Sequence, residues 1–157
     1  MASKGNLNLL CVDGSSHSDR AFEWYSSHYH REGDRIGICT IHEIPYVPMG
    51  LYEDGLMLSE AAYPQLLNDS VNKSKEICET FKQRCLDIAK VNPEIYCITA
   101  EDSVGNTICK VAKDNNASTI IIGQRGLGAI RRTLLGSVSD YVVHHSHIPT
   151  IVVPATQ

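Results

Sequence analysis

The sequence predicts an α/β fold: a single doubly wound domain over residues 1–157, with a five-stranded parallel sheet and about four helices on its two faces. Three observations predict it. Short apolar runs alternate along the chain with longer segments of helical periodicity, the mark of repeated βαβ units. The run Thr119-Ile120-Ile121-Ile122 is β-branched throughout, which suits a strand buried on both faces of a parallel sheet. Glycines begin where that run stops, at Gly123, so a loop opens at the end of the strand.

The first strand is expected over about Asn8 to Val12. Asp13-Gly14-Ser15-Ser16 follows, a common strand-to-helix turn with a capping residue. Ser16 to His30 reads as a helix with Ala21, Trp24, Tyr25 and His28 on one face, stopped at Gly33-Asp34. Strand two runs from about Arg35 to His42. Residues 43–66 are polar and irregular, with three prolines, and a loop this long in a small domain either serves a function or lacks fixed structure.

From about Gln65 to Val91, the residues Val71, Cys78, Phe81, Cys85 and Ile88 recur at the spacing of a long amphipathic helix, which ends before Asn92-Pro93. Strand three, Ile95 to Thr99, alternates. A helix from Ser103 to Asn115 uses Ile108, Val111 and Ala112, and leads into the strand before the glycines. Gly136-Ser137-Val138-Ser139 opens the fourth helix. Its Val138, Tyr141, Val142 and His145 fall at helical spacing, and Ser137 or Ser139 can cap it. Thr150 to Val153 is the last strand, and no internal repeat interrupts the series.

The glycines carry the functional signal. Glycine lets an anionic ligand approach the backbone, and a helix N-terminus offers unpaired N–H groups to anions. Two familiar phosphate loops fail on these letters. Gly123 and Gly128 have the Walker A separation, but Ala129 and Ile130 stand where Lys and Ser or Thr are required. A dinucleotide fingerprint starting at Gly126 and Gly128 finds Arg131 in place of its third glycine.

What remains is G-x-x-G-x9-G-[ST] after a buried strand: Gly123, Gly126, Gly136 and Ser137. It resembles the nucleotide-binding motif of the universal stress protein family, in its ATP-binding branch, without gap or substitution. Leu9 to Ser15 is similar to that family's first strand and acidic turn, and Pro149 to Val153 to its last strand, so nearly the whole chain takes part. The segment from about Glu43 to Leu66 is the least typical.

The resemblance implies the strand order 3-2-1-4-5, which makes strands one and four neighbours and puts Asp13 and the Gly123 loop beside one crevice. It implies that Asp13 accepts hydrogen bonds from ribose hydroxyls, that Cys11 and Val12 line the pocket by backbone, and that Ile41 meets adenine through its main chain. Gly123, Arg125, Gly126, Gly136, Ser137, Val138 and Ser139 are the matching positions on the phosphate side, and Ile122 is a further nucleotide-binding position. The implied ligand is ATP, or its ADP or AMP product, with Mg²⁺ bridging the phosphates. Arg125 equally fits a solvent-facing side chain, and Arg131 and Arg132 fit either added positive potential or a solvated pair.

Bulk properties narrow the classes. A chain of 157 residues can bury roughly two thirds of its unfolded surface and needs no disulfide framework. A net charge of −4 without a Lys/Arg run argues against nucleic acid as a partner. The polar N-terminus leads into an apolar run too short for a signal peptide, and no stretch is long enough to span a membrane, so a cytoplasmic location is expected.

The six cysteines sit in apolar periodic segments and never as Cys-x-x-Cys, which predicts reduced core residues. Cys78 and Cys85, seven apart, share a helix face but not disulfide distance. His144, His145 and His147, or His28 and His30, lack zinc-helix spacing; the first two fit a helix C-terminus.

Phosphoryl transfer demands charge neutralisation and an aligned nucleophile. The sequence shows neither a P-loop lysine nor a general base, so no catalytic residue is assigned, and turnover, if any, is that of a slow metal-dependent ATPase. The expected role is a nucleotide-controlled module in a cellular stress response; a nucleotide-independent partner-binding domain is the other class. The apolar strand Thr150 to Val153 would be a sheet edge, which a protein must cover or pair, and members of the family dimerise through it. A homodimer is expected.

Overall fold

A computed structural model describes residues 5–44, 62–124 and 135–155. Five strands, β1 (Leu7–Cys11), β2 (Arg35–His42), β3 (Glu94–Thr99), β4 (Thr119–Gly123) and β5 (Thr150–Val153), form one sheet in the order β3-β2-β1-β4-β5. Every neighbouring pair is parallel. The helices are α1 (Ser16–Trp24), α2 (Ala62–Arg84), α3 (Val104–Asp114) and α4 (Ser137–His145). Arg125, Gly126, Gly128, Arg131 and Arg132 lie outside the described residues, as do residues 45–61 of the irregular stretch.

The period-two geometry of a strand sends alternate residues to opposite faces. Leu7, Leu9 and Cys11 of β1 join Ile120 and Ile122 of β4 and Ile108, Val111, Ala112 and Val142 on α3 and α4. Leu10, Val12, Ile36, Ile38 and Ile121 face the other way, onto Ala21, Phe22, Phe81 and Cys85 on and beyond α1 and α2. The central strands are therefore covered on both sides, the physical reason that β1 and β4 read as continuous apolar runs. Asn8 is the exception in β1. Buried at 2% exposure, its Nδ2 donates to Tyr25 Oη at 3.1 Å and to Asp34 Oδ2 at 3.3 Å.

The first two helices end differently from the expectation. α1 and α2 each continue into one π-helical turn, Tyr25–Tyr29 and Cys85–Ala89. A π turn holds more residues than an α turn, so the side chains beyond it rotate off the predicted face. Ile88 is accordingly 57% exposed, while Cys78, Phe81 and Cys85 before it are buried. His28 is likewise exposed, and the buried face of the first helix is Ala21, Phe22 and Tyr25 instead. On α4, His145 does not enter the core; it stacks on Tyr141 with ring centroids 4.1 Å apart.

Candidate functional site

The site grows from the C-terminal ends of β1 and β4, where the order of winding reverses. The Val12 N–H donates to the Cys39 carbonyl at 2.9 Å, which carries β1 one residue past its last ladder partner. The chain then turns. Asp13 Oδ1 accepts from both the backbone N–H of Ser15, at 3.0 Å, and its hydroxyl. Gly14 adopts φ +76°, a left-handed conformation that costs glycine nothing. Ser15 is the N-cap of α1, its Oγ accepting from the Ser18 N–H at 3.4 Å.

At the end of β4 the reason for glycine is contact. A Cβ at Gly123 would stand 2.3 Å from the carbonyl oxygen of His17, in the first turn of α1. Gly123 has no positive φ; it is glycine because β4 and α1 touch backbone to backbone. α3 and α4 also meet at a glycine, here against a side chain: a Cβ at Gly105 would meet Tyr141 Cδ1 at 2.7 Å.

Gly136 is the N-cap of α4; its backbone is extended, with ψ 155°, and it offers no capping side chain. Neither Ser137 nor Ser139 caps this helix, contrary to expectation. Ser139 is buried, and its hydroxyl donates to the Gly136 carbonyl at 2.9 Å. The serines thus follow the cap rather than form it. The helix start presents backbone N–H groups with no side-chain oxygen from the N-cap to satisfy them. By contrast Ser103 caps α3, accepting from the Asn106 N–H at 3.2 Å.

These elements enclose a crevice of about 530 Å³, within the usual range of small-molecule sites. Of the positions singled out from the sequence, Cys11, Val12, Asp13, Ile41, Ile122, Gly123, Gly136, Ser137, Val138 and Ser139 all line it. Arg125 and Gly126 are outside the described residues. The crevice also takes in residues that motif reading missed: Ser15, the N-cap of α1, with His17 and Ser18 in that helix, Glu43 after β2, Ser103, the N-cap of α3, Gly105 of α3 and Tyr141 of α4. One signal could have found several of them. Every strand-to-helix turn of a parallel sheet emerges at the same edge, so each predicted helix start is a candidate wall.

Two thiols floor the crevice. Cys11 and Cys39 are partners in register on β1 and β2. A hydrogen bond with Cys39 and burial push the Cys11 pKa well up, so it stays a neutral thiol. Among the described residues, no group of three or more His, Cys, Asp or Glu side chains could hold a metal ion.

A five-stranded parallel sheet with a crevice of ligand size at its switch point defines the class: a doubly wound α/β protein. The chain belongs to the universal stress protein family, whose model matches residues 9–154. It is 32% identical over 157 residues to the universal stress protein PHOS34 of Arabidopsis thaliana, covering 92% of this chain and 60% of that protein. The chain therefore spans less than two thirds of the length of this relative.

Solved structures share the fold. A universal stress protein family member from Arabidopsis thaliana, with AMP bound, superposes with a TM-score of 0.70 at 20% identity, over 96% of this chain and 92% of that one. A universal stress protein in complex with cAMP gives a TM-score of 0.67 at 18% identity, over 98% and 100% of the two chains. Among the described residues, no helix is long and apolar enough to cross a membrane.

Proposed function

We propose that this chain is a cytoplasmic module that binds ATP, or its products ADP and AMP, in the switch-point crevice and uses occupancy as a signal in a cellular stress response. The observation that carries the reading is the convergence of an acidic turn after β1, a glycine at the end of β4 and an α4 N-terminus with no capping side chain on one crevice. These come from three distant parts of the chain, and each suits one part of a nucleotide. Ile41, Val104 and Ile108 offer apolar contact for a base; Asp13 is an acceptor for ribose hydroxyls; Gly123 and residues 136–139 offer main-chain donors to phosphates. The adenine nucleotides bound by two structural relatives support the same ligand class. Mg²⁺ would be carried by the phosphates, adding positive charge that the described walls do not supply from Lys or Arg.

Changing Gly126 to valine tests the reading, since it alters the loop that would carry the phosphates. Calorimetry should show ATP affinity lost, with the far-ultraviolet circular dichroism and thermal midpoint unchanged. Undiminished affinity would overturn the assignment.

The module is further proposed to act as a homodimer through β5. Among the described residues that strand pairs only with β4, and its Ile151 and Val152 are half-buried, leaving an apolar strand at the edge of the sheet. Light scattering at micromolar concentration should give twice the chain mass; a monomer would rule this out.

A further inference from the structure

We propose that His17 is a binding residue of this crevice, donating a hydrogen bond from its Nε2–H to the phosphate chain of the nucleotide, and that Arg20 is the positioning residue that fixes its tautomer. The inference rests on the nucleotide reading above.

His17 lies in the first turn of α1 and lines the crevice. Its own carbonyl is the atom a Cβ on Gly123 would strike, so it sits directly against the residue where the glycine motif begins. Its neighbour decides its chemistry. An Arg20 terminal nitrogen lies 3.0 Å from His17 Nδ1. A guanidinium has donors only, so Nδ1 must be the bare acceptor and the ring hydrogen must sit on Nε2. Arg20 is itself anchored, donating from Nε to the Pro154 carbonyl at 2.9 Å, with a terminal nitrogen 3.5 Å from the Gln124 carbonyl. The imidazole thereby presents its Nε2–H as a donor, with the Arg20 guanidinium behind it.

The rest of the crevice makes this donor distinctive. Among the described residues lining it, His17 carries the only side-chain nitrogen, and Asp13 and Glu43 contribute carboxylates. Those two acids oppose a polyanion. A preset donor backed by a guanidinium offsets them at the end where Gly123 and α4 approach, and leaves the base and ribose contacts untouched.

The test is calorimetry of the wild type, His17→Ala and His17→Gln with Mg-ATP, AMP and adenosine, together with ¹⁵N spectra of the histidine rings. His17→Ala should bind ATP about tenfold more weakly while adenosine affinity holds, the size expected for one hydrogen bond to a charged group. His17→Gln, which retains an N–H donor, should recover most of the loss. The wild-type spectrum should show His17 as the Nε2–H tautomer, and Arg20→Met should release it to a mixture.

Unchanged ATP affinity in His17→Ala, equal losses for ATP and adenosine, or an Nδ1–H tautomer would each overturn the proposal. A wild type that binds no adenine nucleotide would instead overturn the nucleotide reading, and this inference with it. That outcome is read from the wild type alone, so the two failures cannot be confused.

Discussion

Replacing Gly123 with valine is expected to lower the thermal midpoint by roughly 5–10 °C, the scale of an overpacking cost of a few kcal/mol in a chain of this size. The reason is what stands opposite. The nearest atoms to a Cβ at this position are the carbonyl oxygen and carbon of His17, at 2.3 and 2.7 Å. Both are backbone, so no rotamer change relieves the clash, and α1 must move off the sheet. That helix brings Phe22, and the turn after it Tyr25, both fully buried, so its displacement loosens the core on that face. It also moves His17 and Ser15 in the crevice wall, so ATP affinity should fall with stability. Denaturation scans on wild type and variant measure the first effect; an unchanged midpoint would mean that β4 and α1 do not meet at Gly123.

Alkaline pH is expected to destabilise the fold steeply from about pH 9 upward. Burial raises the pKa of Cys85 from the ordinary 9.0 to about 12. Burial likewise raises Cys78 and Cys109, and the Cys39 hydrogen bond together with burial raises Cys11. Tyr25 is pushed up from 10.0 chiefly by burial, and Tyr96 to about 12 by burial and by Glu94. In each case the folded chain keeps a proton that the unfolded chain gives up, so the native state binds more protons and stability falls as pH rises.

The contribution is fully present below about pH 9 and is lost through the window up to about 12, as Cys85 requires. Each raised thiol adds a slope of up to about 1.4 kcal/mol per pH unit inside that window. Urea denaturation under reducing conditions at pH 7.5, 9.0 and 10.5 measures it. A midpoint that holds constant across the three would show that these thiols and phenols ionise freely in the folded chain.

Much of the architecture was legible because it is written in short-range pattern. β2 begins and ends at the predicted Arg35 and His42, and α3 buries Ile108, Val111 and Ala112 as its spacing requires. β1 and β4 read correctly because strands covered on both faces are apolar nearly throughout, Asn8 and Thr119 being the polar members. The misreadings share a cause. A period of 3.6 residues puts His28 and Ile88 on buried faces, and a single π turn breaks that period in each helix. Ser137 and Ser139 fit the residue types of a cap, yet the cap is the residue before them.

The candidate site divides in the same way. The motif marked Gly123, Gly136 and the serines because their intervals along the chain are characteristic in themselves. His17, Ser103 and Tyr141 bear no such interval, and only the packing of α1, α3 and α4 around the strand ends brings them to the crevice.

By itself, then, the sequence determined the alternation of strands and helices, the burial of the central strands on both faces and the family, since periodicity and local spacing act between residues a few places apart. Only the tertiary structure decided what depends on distant partners. Leu10 of β1 pairs with Ile121 of β4 across more than a hundred residues of chain, and that pairing creates the crevice. Asn8 is at home in an apolar strand because Tyr25 and Asp34 arrive to satisfy it. Gly123 must be glycine because a helix begun at Ser16 leaves it no room. Contacts of that range are set by the free energy of the whole packed sheet, and no window of neighbouring letters contains them.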